Sequence, residues 1–352
     1  MDIKIAGGGL SGLLTAYFIK NNFKKINIEI FEKLKLEKYR IDCAEGLVNQ
    51  RNSFKILGKL VKQFIVNKLS KVVWIFVLDK DEIRRSEIRN KNFCLMIDRL
   101  NFQLSLIKNL EKVGVKINFG EKVEKVEDLD GEIVVDARGS KPGEHCNVAV
   151  YKILSGNFEK IKDVNFWTIK DREPETLYWI FPLGKDKANF GCGGKAKMVK
   201  LNEFIKFSSD LLNLEIDKCV KKGAGLLDHS YAAMLYQGKE KEVVFDLGKK
   251  KVVKVGDAAG LVDPFYGEGI SGAALSAYLL SKLDLENYKK LLRKNNEFLK
   301  ERMAAVIDRI KNFETFMKYM IMLDGVDAKY LKFKPLFILR YPLKFLKIMK
   351  EV

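Results

Sequence analysis

Three glycines at fixed spacing, Gly7, Gly9 and Gly12, separate the β-rich run DIKIA from the apolar run LLTAYFI. In such a turn the first glycine permits the tight bend, the second lets a pyrophosphate approach the backbone, and the third lets helix and strand pack closely. Free N–H groups at the helix start then meet the anion. Glycine-rich turns are common, so the discriminating residue is an acid about 20 positions later, at the end of the second strand. Glu32 stands there, closing INIEIFE, placed to accept hydrogen bonds from the ribose hydroxyls of an adenosine. The pattern reads as dinucleotide binding and leaves NAD(P) and FAD unresolved.

The segment VGDAAGLVDPFYGEGISGAALSA separates those two. Asp257, following a strand and a glycine, suits hydrogen bonds from the ribityl chain of a flavin. The turn Gly267-Glu268-Gly269 lets a second helix, starting near Ile270, point its N-terminus at the pyrimidine end of an isoalloxazine, where negative charge gathers on reduction. NAD has no group there. No second GxGxxG follows a strand, so no separate NAD(P) domain is expected.

Two further features suit chemistry on a substrate. Cys43 lies between Asp42 and Glu45 in a glycine-terminated loop, where acidic neighbours favour the thiol form that a proton donor needs. In YWIFPLG, Trp179 and Phe181 alternate with Ile180 on a strand, so one face suits an apolar tunnel, although core aromatics show the same pattern.

The elements that must position these residues follow from periodicity. Strand, glycine loop, helix and strand open the chain as a βαβ unit. Helical spacing returns over residues 53–69 and 102–114, and KVVWIFVLDKDEIRRSEI between them reads as a hairpin turning at Asp79-Lys80. From about 147 to 246 short β-rich runs dominate (NVAVYKIL, VNFWTI, LYWIF, ANFGCGG), which suggests an antiparallel second domain. The expected fold is α/β, a Rossmann-type domain from 1–70, 95–146 and 247–284. An antiparallel substrate domain from 71–94 and 147–246 is inserted in it, and a helical basic region, 285–352, ends the chain.

These motifs together resemble the geranylgeranyl reductase family of flavoproteins, related to the p-hydroxybenzoate hydroxylase fold. The resemblance runs from residue 1 to about 285 through GGGLSG with Glu32, CAEGL at 43–47, Asp98-Arg99, VVDARGS, YWIFPLGKDKANFGCGG and GDAAG. It implies non-covalent FAD and hydrogenation of isolated double bonds in isoprenoid chains, as in archaeal membrane lipids; the electron donor, a ferredoxin or NAD(P)H, is not identified by the sequence. It implies that Ser11, Gly12 and Glu32 contact pyrophosphate and ribose, and that Arg99 is the cation on the cofactor's phosphate side. It places Cys43, Ala44 and Gly46 beside the isoalloxazine, Val123 at the adenine, and Asp257, Gly269 and Ile270 at the flavin turn. Reduced FAD is then expected to deliver hydride to one alkene carbon while Cys43, or a water it orients, protonates the other. The tyrosine that the family places two positions before the tryptophan is here Leu177, with Tyr178 one place on, and DARG replaces the commoner ADG. A same-fold monooxygenase for an aromatic or quinone, and a non-catalytic flavin-binding membrane accessory, are the alternatives.

Charge and composition bound the remaining classes. The 352 residues carry 64 Lys+Arg against 46 Asp+Glu, a net charge of +18, which attracts nucleic acid or an anionic membrane. No zinc knuckle, recognition helix or stacking-aromatic motif accompanies the charge, so nucleic acid is not expected. The tail 326–352 interleaves Lys329, Lys332, Lys334, Arg340, Lys344, Lys347 and Lys350 with leucine, phenylalanine and isoleucine, a mixture that suits a membrane interface. The longest uncharged run, residues 5–19, falls short of the roughly 20 apolar residues of a span. Glycines interrupt it and Asp2 offsets Lys4, so it is expected to fold in the cytoplasm rather than direct export. The five cysteines form no CxxC pair, and His145 and His229 adjoin no nucleophile motif, which disfavours disulfides, a metal site and triad hydrolysis.

Overall fold

The computed structural model describes residues 1–79, 82–170, 175–328, 340, 341, 343 and 344. The chain begins with β1 (Asp2–Ala6), α1 (Leu10–Asn22) and β2 (Asn27–Glu32), and the two strands pair in parallel. Ile3 and Ile5 are fully buried, as are Leu13, Leu14 and Ile19 of the helix. A strand covered on both faces needs this apolar run, and a helix enclosed by protein needs no polar stripe.

After β3 (Gly46–Val48), α2 (Ser53–Val61) ends eight residues before the helical spacing of the sequence does. The competing element is β4 (Ile65–Val77), which enters an antiparallel ladder with β5 (Ile83–Ile97), running from Ile65 opposite Ile97 to Val77 opposite Ile83. Ladder pairing over that length overrides local helical preference. Leu78 N–H donates to Glu82 O at 2.9 Å to close the hairpin at the expected place, although Lys80 and Asp81 lie outside the described residues.

Asp98 caps α3 (Arg99–Lys112) by accepting from Asn101 N at 3.1 Å. β6 (Lys116–Phe119), β7 (Ile133–Asp136), β8 (Cys146–Asn157), β9 (Val164–Ile169), β10 (Leu177–Pro182) and β11 (Lys187–Gly194) follow. Then come α4 (Met198–Leu212), β12 (Glu215–Asp228), α5 (Ser230–Tyr236), β13 (Val244–Leu247) and β14 (Lys250–Lys254). α6 (Ile270–Leu280), α7 (Leu285–Asn296), α8 (Leu299–Lys311) and α9 (Phe313–Met322) form the helical end. α4 lies within the β-rich span of the sequence; Leu201, Phe204 and Ser208, at helical spacing, are its buried face.

Two sheets result. The first has the order β13-β14-β7-β1-β2-β6 and is parallel except for β13; the second has the order β12-β8-β11-β10-β9-β4-β5-β3 and is antiparallel except for the β4–β9 pair. The α/β architecture with an antiparallel second layer and a helical C-terminal part is therefore present. Period-two alternation sorts the second sheet's aromatics. Val73, Ile75, Trp167, Tyr178 and Ile180 pack with Phe204 of α4, whereas Trp74, Phe76, Phe166, Trp179 and Phe181 belong to the opposite core with Phe265 and Phe316.

Most of the basic tail, including Lys329, Lys332, Lys334, Lys347 and Lys350, lies outside the described residues. Among the described residues no helix is long and apolar enough to cross a membrane, and no group of three or more His, Cys, Asp or Glu could hold a metal ion.

Candidate functional site

The second sheet's Trp179 face looks toward the glycine turn, and between them lies a cavity of about 890 Å³. Gly7, Gly9, Ser11, Glu32, Cys43, Ala44, Gly46, Arg99, Val123, Asp257, Gly267, Gly269, Ile270, Trp179 and Phe181 all line it. Gly12 does not line the cavity but shapes its wall: a Cβ there would stand 2.0 Å from the carbonyl oxygen of Gly7. Gly7 has φ +110°, and a Cβ there would meet Ala137 O at 2.3 Å. A Cβ on Gly9, in contrast, would find no atom within 4 Å. The space above the helix start is thus open while the turn below it is tight. α1 has no side-chain cap and no acid in its first turn, which leaves its N–H groups for an anion.

Glu32 is buried, and its carboxylate accepts from Gly8 N and from Leu34 N, both at 2.8 Å. It therefore braces the glycine turn as well as facing the cavity. Tyr39, which sequence patterns do not single out, donates its hydroxyl proton to Gly8 O at 2.6 Å. The Gln103 amide donates to the same hydroxyl oxygen at 2.5 Å, and Arg99 Nε donates to Gln103 Oε1 at 3.0 Å. The glycine turn and Arg99 are thereby joined through one chain of hydrogen bonds. The four-residue spacing of Arg99 and Gln103 on α3 was the available signal.

Burial works against the Arg99 charge, but the neighbouring Cys43, Asp257 and Tyr39 hold the guanidinium above its ordinary range. Burial pushes the Asp257 carboxyl up, and Arg99 opposes that shift. Asp257 lies against the flavin-turn motif: a Cβ on Gly269 would come within 2.7 Å of Asp257 Oδ1. Beside Val123, Arg138 of the DARG segment closes a fork on Asp136, with Nε to Oδ1 at 2.8 Å and Nη2 to Oδ2 at 2.7 Å. Its Nη1 donates to the carbonyls of Val123 (3.3 Å) and Glu124 (2.6 Å), so the Val123 carbonyl is already partly engaged.

The neighbourhood of Cys43 departs from the expectation. The carboxylates of Asp42 and Glu45 turn elsewhere, Asp42 toward Arg40 Nε (3.5 Å) and the Tyr151 hydroxyl (3.4 Å), Glu45 toward Lys221 Nζ (3.6 Å). Cys43 Sγ instead accepts from Glu45 N at 3.2 Å and neighbours the Arg99 guanidinium. Sequence adjacency misled because Glu45 takes a left-handed backbone conformation, φ 67°, which turns its side chain away from the cysteine.

The wall of the cavity formed by the second sheet is aromatic. Trp179 Nε1 donates to Asn189 Oδ1 at 2.9 Å, and its ring lies over Gly191, where a Cβ would meet Cζ2 at 2.0 Å. Trp179 stacks with Phe181 at 5.8 Å, and Phe166 stacks with Tyr266 at 5.6 Å. Phe93, Phe166 and Tyr266 join the lining here although no sequence motif marks them.

Behind the Gly267–Gly269 turn is a buried polar cluster. Glu268 Oε1 accepts from Ser271 N at 2.6 Å at the start of α6, and Oε2 accepts from Gln50 Nε2 at 2.7 Å. An acid just before an apolar helix is a readable capping signal. Arg51, fully buried and in the left-handed region at φ 51°, had none.

No family model matches the chain. The chain is 24% identical over 189 residues to digeranylgeranylglycerophospholipid reductase 2 of Methanothermobacter thermautotrophicus, a match spanning 53% of this chain and 46% of that protein. It is 26% identical to digeranylgeranylglycerophospholipid reductase of Thermoplasma acidophilum, over 93% of this chain and 90% of the other. A geranylgeranyl bacteriochlorophyll reductase-like crystal structure from Thermoplasma acidophilum superimposes with TM-score 0.67 at 16% identity, covering 100% of this chain and 99% of that one. The chain resembles the geranylgeranyl reductase-like flavoproteins. The first-mentioned match spans about half of that relative's length. The fold is also that of the flavin-dependent halogenase CmlS, with TM-score 0.56 and 15% identity over 92% of this chain and 66% of that one.

Proposed function

We propose that the protein is an FAD-dependent reductase that saturates isolated carbon–carbon double bonds of isoprenoid chains, with lipid-borne chains as its substrates. The observation that carries this reading is the shared cavity. A glycine turn suited to phosphate, the side chains of Arg99 and Asp257, and an aromatic wall of Phe166, Trp179 and Phe181 open on the same space. The residues suit FAD: the open ground above Gly9 and the uncapped α1 suit a pyrophosphate, and Asp257 beside the Gly267–Gly269 turn suits a polyol chain. When bound and reduced, FAD supplies the hydride.

The chain's own residues do the rest. The α1 amides and Arg99 hold the phosphates. Trp179, Phe181 and Phe166 hold an apolar chain and exclude water from it. Cys43 Sγ, in the loop between the two regions, supplies the proton to the second alkene carbon, directly or through a water. The lysine-rich segment 326–352 supports peripheral attachment to an anionic membrane, where such substrates reside.

The reading is tested by incubating the dithionite-reduced protein, loaded with FAD, with polyprenyl lipids and weighing the products. A gain of two mass units per double bond is expected. Unchanged lipid beside substrate-dependent oxygen consumption from NAD(P)H would make it a monooxygenase instead.

A further inference from the structure

Glu45 combines features that ordinary loop residues do not share. It is a non-glycine residue with φ 67°, next to Gly46, at the entry to β3. A left-handed conformation is unfavourable for such a residue, and persists only where the surroundings over-determine it. Here three contacts do so. Its carbonyl accepts from Ile97 N at 3.0 Å, its N–H donates to Cys43 Sγ at 3.2 Å, and its carboxylate reaches Lys221 Nζ at 3.6 Å. Lys221 belongs to β12, the outer strand of the second sheet, at a register shift in its pairing with β8. Its ammonium also lies 5.6 Å from the ring centre of Tyr151, a cavity-lining residue.

We propose that Glu45 is a positioning residue for Cys43, its strained backbone aiming an N–H at the sulfur and its ion pair with Lys221 clamping the loop in that shape. The clamp deepens the reductase reading, because it fixes the sulfur beside Arg99 at the meeting of the polar and aromatic halves of the cavity. The pair is half-buried, with side-chain exposures of 14% for Glu45 and 32% for Lys221, so it is screened less than a surface pair. Burial pushes the Glu45 carboxyl up while Lys221 opposes the shift. The other charged or titratable groups facing this corner are Asp98, the cap of α3, and Arg99, its first residue, Tyr151 of β8, and Asp42 and Cys43 of the loop itself.

The test reads the sulfur directly and needs no isoprenoid. In the FAD-loaded full chain carrying Cys146→Ser and Cys219→Ser, the rate of Cys43 alkylation by iodoacetamide is followed by peptide mass spectrometry from pH 6 to 10. Glu45→Gln and Lys221→Met are each expected to change that rate by about fivefold or more, the equivalent of losing one modest interaction. They should also move its pH profile, and the double variant should do no more than either single one. Glu45→Asp, with Lys221 present, should recover part of the parental profile. Parental rates and pH profiles in both single variants would overturn the clamp, as would additive effects of the two. If alkylation responds as expected while no lipid is reduced, the clamp stands and the reductase reading falls.

Discussion

The Arg51 guanidinium lies 3.8 Å from the Glu268 carboxylate with both side chains shut away from solvent, which joins the loop after β3 to the helix start behind the Gly267–Gly269 turn. Arg51 also donates to Ser271 Oγ (2.7 Å), Leu261 O (3.0 Å) and Asn296 Oδ1 (2.8 Å), so one side chain ties α6, α7 and the segment at Leu261 together. Burial lowers the arginine and raises the glutamate from their ordinary values, and each opposes the shift of the other. Such a pair matters chiefly for what happens when it is broken.

Arg51→Ala should therefore destabilise the protein by about 3–5 kcal/mol, since it leaves the Glu268 charge buried and the hydrogen-bonding groups around it unpaired. Urea unfolding of the FAD-free chain measures this. Arg51→Lys should recover only part of the loss, because an ammonium cannot reproduce the divergent guanidinium bonds. A midpoint unchanged in Arg51→Ala would refute the role.

The two kinds of glycine in the opening turn should separate folding from binding. Gly12→Ala places a methyl 2.0 Å from the Gly7 carbonyl oxygen and should cost several kcal/mol of stability, about 3 or more. Gly9→Ala meets open space, so its melting temperature should match the parent. Its FAD affinity should fall about tenfold, because the methyl occupies the approach to the helix amides. Flavin fluorescence titration beside thermal melting distinguishes the two effects.

Cys43→Ala should retain FAD, since the phosphate-binding turn is untouched, and should lose about 10²–10⁴-fold in the rate of prenyl reduction under saturating reductant. Single-turnover oxidation of the reduced flavin by substrate isolates that step from donor supply. Undiminished reduction in this variant would remove the cysteine from the mechanism.

Acid should weaken the protein through Glu29. Its carboxylate accepts from Lys116 Nζ and Lys4 Nζ, both at 2.7 Å, and from Asn118 at 2.8 Å, and these bonds, that of Lys116 foremost, hold it down to about 2 against the opposing effect of burial. With a lowered native value, the unfolded chain binds more protons below its ordinary value of 4.5, so the contribution is complete above that pH and fades as pH falls toward 2. Glu29→Gln should remove on the order of 2 kcal/mol at neutral pH and flatten stability against pH over that window. An equally steep acid limb in the variant would contradict this.

Local patterns in the chain determined much of the site. The glycine spacing with Glu32, the aspartate followed by a second glycine turn, and the alternation of Trp179 and Phe181 are each written within a short stretch of residues. The forces behind them act at short range: turn sterics, helix-start amides and strand pleat. Tertiary structure decided what those patterns left open. It ended α2 at Val61 because a ladder with a distant strand claimed the following residues. It turned the Asp42 and Glu45 carboxylates away from Cys43 and put an amide and a guanidinium there instead. It also brought Arg51 to Glu268 from the far end of the sequence, and Tyr39 to Gln103 across 64 positions. Burial and partner choice at such points depend on which distant elements share a wall, and short-range spacing carries no record of that.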